Sequence, residues 1–555
     1  MKRTLIPLTL LTSLVTPAAA AAGDLVLHGA RVLDDAGNGW LEDHAVVVSE
    51  GRIAAVAPAA ELEPPPGAEL LELDGLYLVP GLIDLHTHLL LHPYDETPWV
   101  DQVLVESLEL RTIRAVGAAR ATLEAGFTTI RELGTEGAAY ADVALREATE
   151  TGLIPGPRIL ASTRALVATG CYAPAGFDPR WEVPKGAQVA DGVDGLRRAV
   201  REQIAAGADW IKVYADYRRR PGDPSTPTYS PEELRAVVAE ARSAGVPVAA
   251  HAATDEGIRR AVEAGVQTIE HGYGASLETL RLMRERGVVL CPTLAASDAI
   301  ARYGGWRPGE PEPPRVQAAR EMFARALAAG TPLACGSDAG VFAHGDNARE
   351  LKLMVAYGLA PAEALRAATS GAAGVLGLGH ELGRVAAGYR ADLVALRGDP
   401  LSDPAALRGP ALVLQDGRVA VDRRGPDAGR RAAVVAVCER MLELYSARRF
   451  DEVGALFVPE ATVAMASPAS GERSVLPALD FLDRARAGLA EVESFREWLA
   501  GPPIVRVDEG IASVWAPFEL EVDGRRSSGV DAFHLVELGG EWRIVSLAYT
   551  NRPRR

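Results

Sequence analysis

The chain has 555 residues, 48% hydrophobic and 24% charged, with a formal net charge of −16. That balance excludes disordered, collagen-like and disulfide-scaffold classes. The acidic excess also argues against a nucleic-acid partner or an anionic lipid surface, both of which select basic faces.

Met1 to Ala22 reads MKRTLIPLTLLTSLVTPAAAAA. Lys2 and Arg3 supply a charged start, Leu5 to Val15 an apolar stretch, and the alanines an A-x-A cleavage pattern. This is the pattern of a secretory signal peptide over residues 1–22. The apolar stretch is shorter than the roughly 20 residues of a bilayer span. No cysteine follows it, and no later run reaches spanning length. The expected location is periplasmic or secreted, with no membrane association after signal removal. The four cysteines, Cys171, Cys291, Cys335 and Cys438, have no metal-finger spacing. An oxidising compartment permits a disulfide, and Cys291 with Cys335 is the pair to inspect; buried free thiols are the alternative.

Residues 23–80 alternate apolar and polar positions in short runs (DLVLHGARVLD, HAVVVSEGRIAAVAP, ELLELDGLYLVPG) with Gly and Asp turns. A second set, GRVAAGYRADLVALRGDP and ALVLQDGRVAVD, lies in 377–425. Neither set makes a stable sheet alone, so the two are expected to combine in one composite β-sandwich.

Between them, over 81–376, eight strand-like runs alternate with helical patterns: LIDLHTH, FTTIREL, RILAS, DWIKVYA, VPVAAHA, VQTIEHG, VVLCPTL and TPLACGSD. The helix SPEELRAVVAEARSAG shows the signals of its kind: Ser230 as N-cap, Pro231 at the first position, Glu233 closing a capping box, and Gly245 after the end. Buried strands alternating with helices mean parallel βα units. Eight of them predict an α/β fold of the (β/α)₈ barrel type. Residues 307–314 form a Pro-rich loop.

The last region, 430–555, reads as a separate α+β domain. A helix is expected over AAVVAVCERMLELYSARRFDEVGALF, another over ALDFLDRARAGLAEV, and long antiparallel strands after them. Asp531 and His534 differ in strand parity and should face opposite sides.

The chemistry gathers where barrel strands end. His86 and His88 end the first run, Lys212 lies in the fourth, His251 ends the fifth, His271 the sixth and Asp338 the eighth. The carboxyl ends of barrel strands form the active-site face. His86 and His88 are two apart, so they share a side, and Thr87 faces away. Each histidine alone is more often a hydrogen-bonded core residue, but four of the ten histidines ending three strands is a pattern. Asp338 would be costly there without a cation or a donor. Lys212 in an apolar strand is open to three readings: a partner of a carboxylate, a Schiff-base lysine, or a lysine carboxylated by carbon dioxide that bridges two cations. The donor census favours the third, because four histidines and one aspartate are too many for one tetrahedral zinc and supply no bridge between two.

GLIDLHTH, ADWIKVYA, AAHA, TIEHG and GSDAG, in this order, resemble the amidohydrolase superfamily. The likeness is to its imidazolonepropionase-related branch, which includes carboxylated-lysine Xaa-Pro and Xaa-Arg dipeptidases, and it covers about residues 24–420. The resemblance implies that His86, His88 and Asp338 hold one metal and His251 and His271 another, with carboxylated Lys212 bridging both. Zinc suits the donors. Two cations sharing a water make hydroxide available near neutral pH and polarise a carbonyl. Asp338 would move the proton to the leaving nitrogen. The implied activity is hydrolysis of an amide-type C–N bond in a small molecule, such as a dipeptide or an N-acyl amino acid.

Many relatives carry a His-containing glycine-rich stretch after the third strand; here VATGCYAPAGF sets Cys171 and Tyr172 in its place. Tyr172 and Tyr214 are candidate substrate contacts, the latter alternatively a packed barrel tyrosine. Arg218, in the loop ADYRRRPGDPSTPTYS, could hold a substrate carboxylate or simply be solvated. His344 is a substrate or supporting contact. The last region resembles the nuclear transport factor 2-like (SnoaL-like) cone fold through its helix-first order and its ending GEWRIVSLAYTNRP. That resemblance implies an accessory for ligand binding or for a homo-oligomer. Alternatives are a cyclic-amide or carboxylic-ester hydrolase on the same site and, from another class, a ligand-binding or assembly protein with a vestigial barrel.

Overall fold

The computed structural model describes residues 24–553 apart from 179, 221, 425, 467–472, 501–502 and 509. The expected signal peptide lies outside the described residues. The chain divides into two compact units, Met1–Asp422 and Arg423–Arg555.

In the first unit, the alternating runs near the start form short strands. Arg52–Pro58, His44–Ser49, Leu25–His28 and Glu69–Glu72 make a four-stranded sheet in that order. A six-stranded sheet joins segments far apart in the chain: Leu393–Leu396 pairs antiparallel with Tyr77–Pro80 on one side and Leu412–Gln415 on the other. Leu27, Val46 and Leu71 of the first sheet share a buried core with Leu78, Leu393 and Leu412 of the second. Each sheet alone would leave an apolar face in water.

Between these strands, Leu82–Thr87, Phe127–Glu132 and Arg158–Ala161 form a parallel sheet. Ile211–Tyr214, Val248–Ala252, Thr268–His271 and Val289–Cys291 run parallel and adjacent in a second. Asp209 N donates to Ala161 O at 2.7 Å, linking the two. The first two of these strands are buried at every position, as expected where both faces are covered.

The eighth expected strand is not regular. Residues 331–338 make an isolated bridge between Leu333 and Leu290 and single bonds, Leu85 N to Cys335 O at 2.9 Å and Asp338 N to His86 O at 2.7 Å. Asp338 has φ +64°, a left-handed conformation far from the extended strand geometry. A Cβ on Gly336 would lie 2.9 Å from Cys291 Cβ and 3.1 Å from His86 Cβ, so only glycine lets this segment run so close to the first strand. All four cysteines are buried and free; Cys291 and Cys335 are not bonded.

The helix Pro231–Ser243 starts as its sequence predicts. Ser230 Oγ accepts from Glu233 N at 3.2 Å, Glu233 Oε2 accepts from Ser230 N at 2.8 Å, and Gly245 follows with φ +73°.

The second unit departs from expectation in two ways. The long predicted helix is two, Pro426–Ser446 and Phe450–Gly454, because Arg448 turns left-handed at φ +58° and Arg449 N bonds back to Leu444 O. The sheet is mixed rather than purely antiparallel: Phe457–Ala466 pairs parallel with Glu541–Pro553. The strands Ile511–Val522, Arg525–Leu538 and Glu541–Pro553 form its antiparallel centre. Asp531 is buried and His534 exposed, as parity requires.

Candidate metal centre

The strand Leu82–Thr87 ends on the HxH pair, and its backbone alternation turns His86 and His88 to one side. Thr87, on the other side, bonds Glu132 Oε2 at 3.1 Å. His86, His88 and Asp338 are buried and each presents a ligand atom within 4.8 Å of the others. Asp338 Oδ1 lies 3.6 Å from His86 Nε2 and 3.3 Å from His88 Nε2.

Each imidazole is held by its other nitrogen. His86 Nδ1 meets Glu270 Oε2 at 2.8 Å, His88 Nδ1 meets Gly134 O at 2.9 Å, and His271 Nδ1 meets Thr293 Oγ1 at 2.7 Å. For His86 and His88 this aims Nε2 toward Asp338, an orientation that metal-ligating histidines share. The His271 ring centroid is 5.2 Å from that of His86 and 4.5 Å from that of His251. Burial and the Lys212 charge lower His86 far below the usual imidazole range and bring His251 to about 3. Burial and the neighbouring imidazoles do the same for His271. All three are therefore neutral, the ligand form. For His88, burial is outweighed by the Asp338 hydrogen bond and the Glu136 charge, and it rises to about 9.

Lys212 is 1% exposed, and its Nζ has no hydrogen-bond partner among the described residues. Burial lowers it to about 8 against the charges of Glu270 and Asp338. It acts electrostatically on His86, His251 and His271. A buried amine with nothing to bond to, among three neutral imidazoles and a carboxylate, is a donor set that fits divalent metal better than it fits an apolar core. The residues present are thus compatible with a metal centre.

Several supporting residues escape a reading by strand ends. Glu270, one residue before His271, bonds both His86 and the buried Arg131, whose Nη2 lies 2.9 Å from its Oε1. Asp84 accepts from Ser337 N at 3.0 Å, His86 N at 3.1 Å and Asn347 Nδ2 at 2.8 Å, tying the first strand to the segment that carries Asp338. Glu136, at φ +52°, accepts from Trp99 Nε1 at 2.8 Å and from the Tyr172 hydroxyl. An acid inside an apolar run was the available signal for Asp84 and Glu270; Trp99 and Glu136 carry none.

Tyr172 and Tyr214 stand beside the imidazoles. Tyr214 stacks on His251 with centroids 4.4 Å apart, and Tyr172 lies 4.6 Å from Tyr214 and 5.0 Å from Trp99. Arg218 is exposed, its guanidinium 5.3 Å over the Tyr217 ring, at the solvent edge of this aromatic group. His344, expected as a substrate or supporting contact, turns to the protein. Its Nε2 faces the carbonyls of His88 and Leu91 at 3.2 and 3.3 Å and its Nδ1 the Thr122 hydroxyl at 3.4 Å, so neither nitrogen is free for a substrate. The loop that carries it folds back beneath His88.

A model of the amidohydrolase family matches residues 77–420. The chain belongs to the amidohydrolase family. Its TIM-barrel-type α/β fold accounts for the parallel strands described above, and the protein is a hydrolase acting on carbon–nitrogen bonds. An ochratoxinase of Aspergillus niger is 30% identical over 423 residues, spanning 70% of this chain and 84% of that relative. A solved prolidase complexed with N-methylphosphonate-L-proline is similar with a TM-score of 0.63 at 35% identity, over 71% of this chain and 99% of that one. A solved Xaa-Pro dipeptidase with bound methionine gives 0.64 at 30% identity, over 72% and 99%.

Proposed function

We propose that this amidohydrolase is an exported binuclear metalloenzyme that cleaves the amide bond of a dipeptide or N-acyl amino acid. One observation carries the reading: the unpartnered Nζ of buried Lys212 among neutral His86, His251 and His271, with His88 and Asp338 adjoining. In it, His86, His88 and Asp338 would hold one divalent ion and His251 and His271 a second, with a carboxylated Lys212 shared between the two; zinc would suit the set. Bound ions of this kind supply an activated water and polarise a carbonyl. The chain supplies the rest. Asp338 takes the proton of the attacking water and delivers it to the leaving nitrogen. Glu270 and Gly134 hold the imidazoles of His86 and His88 in orientation. Trp99, Tyr172 and Tyr214 offer an aromatic wall for the substrate.

The same reading takes the parallel strands as a closed eight-membered barrel and the second unit as a nuclear transport factor 2-like domain. Export rests on the sequence of residues 1–22. The similar prolidase and Xaa-Pro dipeptidase favour a linear amide.

The test is a screen of dipeptides, N-acyl amino acids, lactams and esters on zinc-loaded protein, with metal analysis. Two metals per chain and turnover of linear amides are expected, and Asp338→Asn should abolish turnover with metal still bound. Turnover of lactams or esters alone would favour the alternative hydrolase. Protein that binds no metal and turns over nothing would favour a binding protein.

A further inference from the structure

The second unit holds a cavity of about 100 Å³, of the order of the roughly 150 Å³ apolar cavity that admits benzene. Its wall is aromatic and aliphatic except for two carboxyl groups, Glu497 and Asp531. Asp531 is 2% exposed, and its Oδ2 has no hydrogen-bond partner among the described residues. Glu497 lies on Phe495–Leu499, which pairs with Ile511–Val522, the strand that also pairs with the one bearing Asp531. The described residues lining the cavity include no Arg, Lys or His.

Burial pushes Glu497 up to about 8, and burial together with the Glu497 charge pushes Asp531 far above the usual carboxylate range. The titratable groups on which the pair acts are Tyr445, Tyr549 and Cys438, each raised by burial first and neutral. An acid buried without a partner costs stability unless something binds it. The rings around the pair are ordered: Tyr445 stacks on Phe481 at 6.1 Å and 13°, Phe495 meets Tyr445 edge-on at 5.4 Å, and Phe481 lies 6.0 Å from Tyr549. Aromatic faces are electronegative and attract cations, more strongly when water is excluded.

We propose that this cavity is a second ligand site, for a small organic cation whose ammonium pairs with Asp531 and Glu497 and whose apolar body packs on Tyr445, Phe481 and Phe495. The proposal goes beyond amide hydrolysis and does not depend on it.

Benzylamine and its neutral counterpart benzyl alcohol are suitable probes, titrated into the full chain by calorimetry. Benzylamine should bind at least about tenfold more tightly than the alcohol. Asp531→Asn with Glu497→Gln should remove that preference and leave hydrolysis unchanged. His86→Ala should leave benzylamine binding intact, which separates this cavity from the metal centre. The wild-type chain gives an independent readout. Pairing with an ammonium requires the acid to ionise, so benzylamine should release a proton, seen as a binding enthalpy that depends on the buffer's ionisation enthalpy. Equal affinity for amine and alcohol, amine binding unchanged in the double variant, no proton release, or no binding at millimolar benzylamine would each overturn the proposal.

Discussion

His86 Nδ1 lies 2.8 Å from a carboxylate oxygen of Glu270, and the residue after Glu270 is His271. One strand thus carries a candidate ligand and the acid that orients another. Glu270→Gln keeps the shape but removes the charge, and it leaves the buried Arg131 without its ion-pair partner. Metal affinity should fall about 10–100-fold, read by competition with a chelator, and excess zinc should restore turnover. Unchanged affinity would mean that Glu270 serves Arg131 alone.

Lys212→Met should lower metal content below two ions per chain and turnover by about a thousandfold, since a bridging oxygen donor and a local charge are both lost. Lys212→Arg should not rescue either, because a guanidinium forms no carbamate. Labelled bicarbonate should give a carbamate carbon resonance in the wild-type chain and none in Lys212→Met. Full metal content in the methionine variant would end the bridging role.

Gly336→Ala sets a methyl group against Cys291 Cβ and His86 Cβ, at 2.9 and 3.1 Å. Overpacking of this kind costs about 1–3 kcal/mol. Here the cost falls on the segment that carries Asp338. We expect kcat/KM to drop about tenfold or more and the thermal transition of the first unit to move down, measured by kinetics and calorimetry.

Tyr172→Phe removes the hydroxyl that donates to Glu136 and leaves the ring against Tyr214 and Trp99. A hydrogen bond to a charged group contributes about 1.5–3 kcal/mol. If that bond shapes the substrate wall, KM should rise about tenfold while kcat changes little. A fall in kcat at constant KM would assign the hydroxyl to the reacting centre instead.

The pH dependence of the second unit follows from its buried acids. Glu497 titrates near 8 in the folded chain and near 4.3 unfolded. The folded state therefore holds the proton that the unfolded state has lost. Stability falls as pH rises from the unfolded value to the folded one. Thermal melts of the full chain should show the second unit's transition moving down between pH 5 and pH 8, a window set by those two values. Asp531→Asn with Glu497→Gln should flatten the trend. A transition that rises over the same window would contradict the buried, neutral state of the acid.

Much of the centre is readable from sequence because parallel strands impose an order. His86, His88, His251 and His271 each close an apolar run, and strand ends of one barrel face share one mouth. What hides from that logic lies where the backbone leaves the strand conformation. Asp338 and His271 have φ of +64° and +71°, so parity does not say where they point; position at a strand end does. Glu136, also left-handed, and Trp99, at the start of a short helix, sit in segments with no period to read. Glu270 is hidden for a different reason: next to His271, an acid reads as its outward-facing neighbour, yet it reaches His86. In the second unit the break at Arg448 lies within a continuous helical pattern, and the parallel strand Phe457–Ala466 begins before that pattern has ended.

The pairing of Tyr77–Pro80 with Leu393–Leu396 sets a schedule for the ribosome's product. The early strand emerges long before its partner and waits, edge unsatisfied, while the whole intervening barrel is synthesised. Edges of that kind recruit other chains, and non-local pairings form slowly. A translation pause or a truncation between the two segments should therefore yield aggregates rather than a smaller working hydrolase.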